Sequence, residues 1–223
     1  MDKVELLPPP QSIVSKPSER RENNDLVCSL IGHDFRRKGG LEVLRAFEPF
    51  FLAGAPVRLN IVSRLADLGS EERRNVLEFV QKHNAISWYP QLPNEGVLEL
   101  LQASDIALLP SFVETYGYGV LEAQACGCAV VTTDVFAFQE TNSDEIGWLI
   151  RIDGSEYDYR SESSLSEASV TIVKRIEEVI SSVLEMPAVV TQKATLAMDR
   201  ITAQHCPIRH AHRLMTLYEE ATP

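Results

Sequence analysis

From residue 26 onward the chain keeps one rhythm: a short apolar run, a turn, then about ten residues with apolar positions at helical spacing. Strands are predicted over 26–31, 57–63, 85–89, 105–109, 128–133 and 147–152. Helices are predicted between them over 40–53, 70–83, 95–103 and 117–126. Leu44, Phe47 and Phe51 mark the buried stripe of the first helix, and Val76, Leu77 and Val80 that of the second. Ser70 is the expected N-cap of that second helix, with Glu71 and Glu72 in its first turn. Strands alternating with helices through short loops specify an α/β fold with a doubly wound parallel sheet. Three further helices, over 170–184, 189–204 and 208–221, end the chain.

Two segments break the rhythm. Residues 1–25 carry Pro8, Pro9, Pro10, Pro17 and a mixed-charge run from Glu19 to Glu22, and read as a linker or arm ahead of a single domain over 26–223. Residues 153–169 hold six serines and five acids, and read as a flexible insertion. Within it, Tyr157 and Tyr159 fit either docking residues or loop decoration.

The formal net charge of −11 argues against a broad nucleic-acid surface, which needs clustered Lys and Arg. The longest apolar runs, such as 50–57, fall far short of the roughly 20 residues of a membrane span, so no transmembrane segment is expected. The start lacks the pattern of a secretory signal. Four cysteines are too few and too irregular for a disulfide scaffold, which makes a reducing cytoplasm the default setting. No carboxylate is placed to complete a metal site with His205, His210 and His212, so none is expected.

Ligands of doubly wound sheets sit outside the carboxyl ends of the strands. The loop after Leu109 is the most informative: Glu114 and Glu122 stand eight residues apart, with Gly117 between them where a helix should begin. Free N–H groups and a partial positive charge at a helix start suit a phosphate. The missing side chain at Gly117 would let a ligand approach the backbone, so Gly117→Val is expected to preserve the sheet yet abolish binding. Glu122 would lie about 7.5 Å along the helix at 1.5 Å per residue, about the reach from a diphosphate to ribose hydroxyls. Glu114, on the other side, could accept hydrogen bonds from sugar hydroxyls.

The run from Ala103 to Ser111, the stretch from Glu114 to Glu122 and the run from Ala125 to Val131 together resemble family-4 glycosyltransferases of the GT-B fold, whose signature is an E-x7-E pair. Leu30 to Gly40 is similar to the first loop of their nucleotide-sugar (donor) domain. The resemblance implies one Rossmann-like half of a GT-B fold with C-terminal helices. It implies a retaining, metal-independent transfer of a hexosyl group from a UDP- or GDP-sugar to an acceptor hydroxyl, with no cofactor beyond that donor substrate.

By the same resemblance, Glu114 would contact the transferred sugar and Glu122 the ribose. Thr115, Tyr116, Gly117 and Tyr118 would offer backbone N–H groups around the diphosphate and sugar, while Arg37 and Lys38 would neutralise the diphosphate as it leaves. Gln91 and Leu92 would sit at the base. His33 stands where many members carry an arginine, and is read either as a phosphate contact or as an ordinary loop residue. The loop after Thr133, with Val135, Phe136 and Phe138, is bulky where members usually carry a glycine pair, and would narrow or close the donor pocket. Glu140 matches a common family glutamate.

The GT-B fold has two such domains, and this chain resembles the second alone. The resemblance therefore implies an N-terminal acceptor domain as partner, in a longer chain or a separate subunit. Any peripheral membrane contact would be made through that domain. The alternative is a nucleotide-sugar binding or protein-interaction module with no transferase activity of its own.

Overall fold

The computed structural model describes residues 6–14, 25–152 and 157–221. In chain order the elements are β1 (Leu26–Asp34), α1 (Gly40–Leu52), β2 (Val57–Arg64), α2 (Ser70–Lys82), β3 (Ile86–Tyr89), α3 (Asn94–Gln102), β4 (Ile106–Leu109), α4 (Tyr118–Ala125), β5 (Ala129–Thr133), α5 (Phe138–Thr141), β6 (Gly147–Ile150), α6 (Glu162–Glu185), α7 (Ala188–Gln204) and α8 (Pro207–Ala221).

All strand pairs are parallel and the sheet order is β3-β2-β1-β4-β5-β6, the Rossmann order. Neighbouring strands are in register, with Cys28 beside Leu59 on one side and Ile106 on the other. Alternate residues then sort into two cores. Cys28, Leu30, Leu59, Ile61, Ile106, Leu108 and Val131 face α1 and α6, where Phe47, Ile172 and Ile176 close the layer. Ala107, Leu109 and Val130 face the other way, against Leu101 of α3, Val120 and Ala123 of α4, and Phe138. Coverage on both faces explains why the strands read as unbroken apolar runs rather than alternating ones.

Three local expectations are corrected. The N-cap of α2 is Gly69, not Ser70, and the Glu72 carboxylate accepts the Gly69 amide at 3.2 Å in place of a side-chain cap. The short helix α5 follows the loop after β5, where no element was expected. Residues 162–169 are not part of a flexible insertion but the first two turns of α6. Ser161 caps that helix through its hydroxyl, which accepts the Ser164 amide at 3.5 Å. Beneath the serines, Leu165, Ala168 and Ile172 continue the apolar stripe of the helix into the core. Of the insertion, 153–156 lie outside the described residues, while Tyr157 docks, its hydroxyl donating to the Phe112 carbonyl at 2.7 Å.

The expected arm falls partly outside the described residues, at 1–5 and 15–24. Residues 6–14 form neither helix nor strand and run along the last helices. The imidazoles of His205 and His210 each donate from Nδ1, to the Pro9 carbonyl at 2.8 Å and the Pro8 carbonyl at 2.9 Å. Val14 donates its amide to the Ala125 carbonyl at 2.9 Å. Among the described residues no helix is long and apolar enough to cross a membrane.

Candidate functional site

Strand order reverses between β1 and β4, so the loops after these two strands part to opposite faces and leave a crevice between them. The β1 loop is a tight turn closed by Lys38 N to Asp34 O at 2.9 Å and Gly40 N to Phe35 O at 2.8 Å. It is held from β2's loop by Asp67, whose carboxylate accepts the amides of Arg36 at 2.7 Å and Arg37 at 3.4 Å. It is tied to the β4 loop by the Phe112 amide, which donates to the Arg37 carbonyl at 3.0 Å. Gly32 leaves room for the Lys38 stem: a Cβ there would meet Lys38 Cγ at 2.6 Å.

Within the crevice the Lys38 ammonium donates to the Glu114 carboxylate, a pair whose side chains are 20% and 17% exposed. Glu114 also accepts the Thr115 amide at 3.0 Å. Burial pushes the Glu114 carboxyl up, but the Lys38 hydrogen bond, the Thr115 amide and the charges of Lys38 and Arg37 outweigh it and hold it below its ordinary value. Glu122 behaves oppositely. It is half-buried, its carboxyl is raised by desolvation, and it has no hydrogen-bond or charge partner among the described residues. It borders a cavity of about 30 Å³ with Ser29, Ile31 and Gly119.

Helix α4 starts at Tyr118, with Gly117 as N-cap in the left-handed region at φ 86°. The Tyr116, Gly117 and Tyr118 amides have no hydrogen-bond partner among the described residues, whereas the Thr115 amide is engaged by Glu114. The expected reason for glycine at 117 changes. A Cβ there would meet the Phe138 ring at 2.5 Å, so the space is filled by buried protein rather than left for a ligand. Phe138 is accordingly core, and so is Val135. Phe136 lies at φ 47°, a region glycine occupies freely, with its ring turned outward against Tyr159 at 6.3 Å.

The other expected residues lie further out. Arg37 is half-exposed and its guanidinium stands 3.9 Å from Asp34. Gln91, exposed after β3, accepts a hydrogen bond from Arg64, with Leu92 beside it. His33 is exposed at a register shift in β1. Sequence reasoning missed Asp67, which organises the β1 loop from 30 residues away; it set Phe138 against the donor pocket, whereas the ring packs beneath Gly117.

The parallel sheet in this order, with a charged pair at its switch point and a helix N-terminus beside it, defines a Rossmann-like α/β domain. Residues 13–158 match the family model for glycosyl transferases group 1. The chain belongs to that family. A curated relative, alpha-maltose-1-phosphate synthase of Mycolicibacterium smegmatis, is 28% identical over 159 residues, 67% of this chain and 39% of the synthase. Among solved structures, HepE (Alr3699) of Anabaena in complex with UDP-glucose superposes with a TM-score of 0.64 at 16% identity, over 88% of this chain and 49% of that one. The C-terminal domain of a glycosyl transferase group 1 family protein (LpcC) from Francisella tularensis gives a TM-score of 0.63 at 18% identity, over 82% of this chain and 87% of that one. At these identities the structural likeness speaks for the fold. The chain thus spans less than half the length of the synthase and of HepE.

Proposed function

We propose that this chain is the donor-binding half of a retaining glycosyltransferase of the family-4 type, which moves a hexosyl group from a nucleoside-diphosphate sugar to an acceptor hydroxyl. The observation that carries this reading is the Lys38–Glu114 pair at the switch point, beside three amides without partners among the described residues, with Glu122 eight residues beyond Glu114. In the free protein cation and carboxylate neutralise one another. An arriving diphosphate would draw Lys38 onto its oxygens and free Glu114 to accept a hydroxyl of the sugar. Arg37, on the same loop, adds a second cation, and the α4 N-terminus a partial positive charge.

These groups act on the leaving diphosphate by electrostatics. As the bond from the anomeric carbon to the phosphate oxygen breaks, the charge gathering on that oxygen is offset by fixed cations and dipoles, with no metal required. The acceptor hydroxyl then attacks from the face the diphosphate leaves and gives its proton to the departing phosphate oxygen, which retains the anomeric configuration. Glu122, desolvated and unpaired, is suited to accept from the vicinal ribose hydroxyls. Gln91 and Leu92 would border the base, and His33 the phosphates. The partner is an N-terminal acceptor domain, which would supply the acceptor site and close the crevice. UDP is the favoured nucleotide, because HepE is described with UDP-glucose.

Calorimetric titration with UDP, GDP and ADP in the absence of divalent metal tests the reading. One nucleotide should bind, and Glu122→Ala should weaken it by at least tenfold. Equal affinity in the variant would remove Glu122 from the site, and no binding by any of the three would remove the donor-domain reading for this chain.

A further inference from the structure

Three strands end level beside the crevice: Ile31, Val62 and Tyr89 stand in one row across β1, β2 and β3. Ile31 borders the cavity next to Glu122, and Val97 and Leu101 of α3 line the same cavity. Helix α3 thus covers the sheet face that carries Glu122, and its start follows directly on Gln91 and Leu92. β3 stands two strand spacings, roughly 10 Å, from β1. A nucleoside with its diphosphate at the α4 start and its ribose at Glu122 would have its base on the far side, towards the β3 loop and Gln91.

Gln91 is not free to turn either end of its amide to that base. The Arg64 guanidinium, at the end of β2, donates to Gln91 Oε1. A guanidinium carries N–H donors and no acceptor, so the amide must face it with its oxygen. No carboxylate among the described residues takes Arg64 away: Asp34, beside it in register on β1, faces Arg37. Gln91 Nε2 and the other Arg64 N–H groups have no partner among the described residues, and both side chains are exposed. The pair therefore presents donors only. Uracil and guanine carry an exocyclic carbonyl, O4 or O6, where cytosine and adenine carry an amino group. A free glutamine takes adenine through two bonds, with its oxygen accepting from the N6 amino group. Arg64 closes that mode, because the oxygen is already engaged. An amino group in this place would meet donors and go unpaired, which lowers affinity.

We propose that Arg64 is a positioning residue for base selection: it holds Gln91 Oε1 and leaves Nε2 to donate to an exocyclic carbonyl, so the donor nucleotide carries uracil or guanine rather than cytosine or adenine. This rests on the donor-site reading and adds to it the class of base and the residue that sets it.

The test is calorimetric titration of the chain with UDP, CDP, GDP and ADP, two pairs that each exchange the carbonyl for the amino group. UDP should bind at least about fivefold tighter than CDP, or GDP than ADP, and the pair that shows it names the base. Arg64→Met should bring that ratio to within about twofold, whereas Arg64→Lys, which keeps a donor for Oε1, should hold it. Gln91→Glu, which offers acceptors only, should invert it. Glu122→Ala should weaken both members of a pair alike, which separates the ribose contact from base selection. Equal affinities within both pairs, lost together in Glu122→Ala, would keep the donor site and overturn the role of Arg64. An Arg64→Met variant that weakens all four nucleotides by one factor would also overturn it, since that is the mark of a phosphate contact. No binding by any of the four would overturn both readings.

Discussion

Lys38 and Glu114 stand 76 residues apart in sequence and share one hydrogen-bonded ion pair, because β1 and β4 are neighbours in the sheet and their loops end at its switch point. The pair depends on a third residue, Gly32, over which the Lys38 stem runs.

Gly32→Ala should therefore mimic Lys38→Met. Its Cβ would overlap the middle of the Lys38 side chain and push the ammonium off Glu114, leaving a carboxylate that is mostly buried without its cation. Each variant should cost about 1–3 kcal/mol in urea unfolding. The double variant should cost little more than either alone. Full additivity would show that Gly32 acts elsewhere.

Gly117→Ala should destabilise the chain by about 2–4 kcal/mol, from the left-handed backbone and from overlap with the Phe138 ring. Combining it with Phe138→Leu should recover part of this loss. The expectation of an intact fold with only ligand binding lost belongs to a glycine facing open space, and this one faces the core.

The two glutamates should respond to pH in opposite senses. Glu114, held low, stabilises the fold above its unfolded pKa, and that contribution is lost as pH falls through the folded value. Glu122, held high, contributes below its unfolded pKa and loses that contribution as pH rises through the folded value, so its charge opposes folding at neutral pH. Glu122→Gln should raise Tm at pH 7 more than at pH 4, while weakening nucleotide binding. The wild-type affinity should fall with acidification through the raised pKa, and that slope should flatten in the variant. A Tm gain of equal size at both pH values would show that Glu122 carries no desolvation cost.

Phe136→Gly should stabilise the chain by about 0.5 kcal/mol. Relief of the left-handed conformation outweighs the added freedom of the unfolded chain. The ring given up is half-exposed and touches Tyr159 only at an edge. A loss above 1 kcal/mol by thermal unfolding would assign that ring contact a larger share.

Much of the fold was legible because burial and helical spacing are written locally. The six strands and the helices between them emerge from runs such as Cys128 to Thr133 and stripes such as Leu44, Phe47 and Phe51. Where composition competed with spacing, composition misled: the serines of 161–169 obscure Leu165, Ala168 and Ile172, which carry α6 two turns earlier than expected. The candidate site was legible in part. Glu114, Gly117 and Glu122 lie on one loop and one helix turn, so their spacing alone places them together.

The sequence by itself determined the order of the six strands and the loop on which the acidic pair lies, since both follow from contacts a few residues long. Only the tertiary structure decided that β1 lies beside β4, that Lys38 reaches Glu114, that Phe138 sits beneath Gly117, and that Glu42 meets Ser169 across 127 residues. Local periodicity reports that a face is buried but not what buries it. The partner is chosen when the sheet closes and the two helical layers pack, and charge, strain and unmet hydrogen bonds are settled only then.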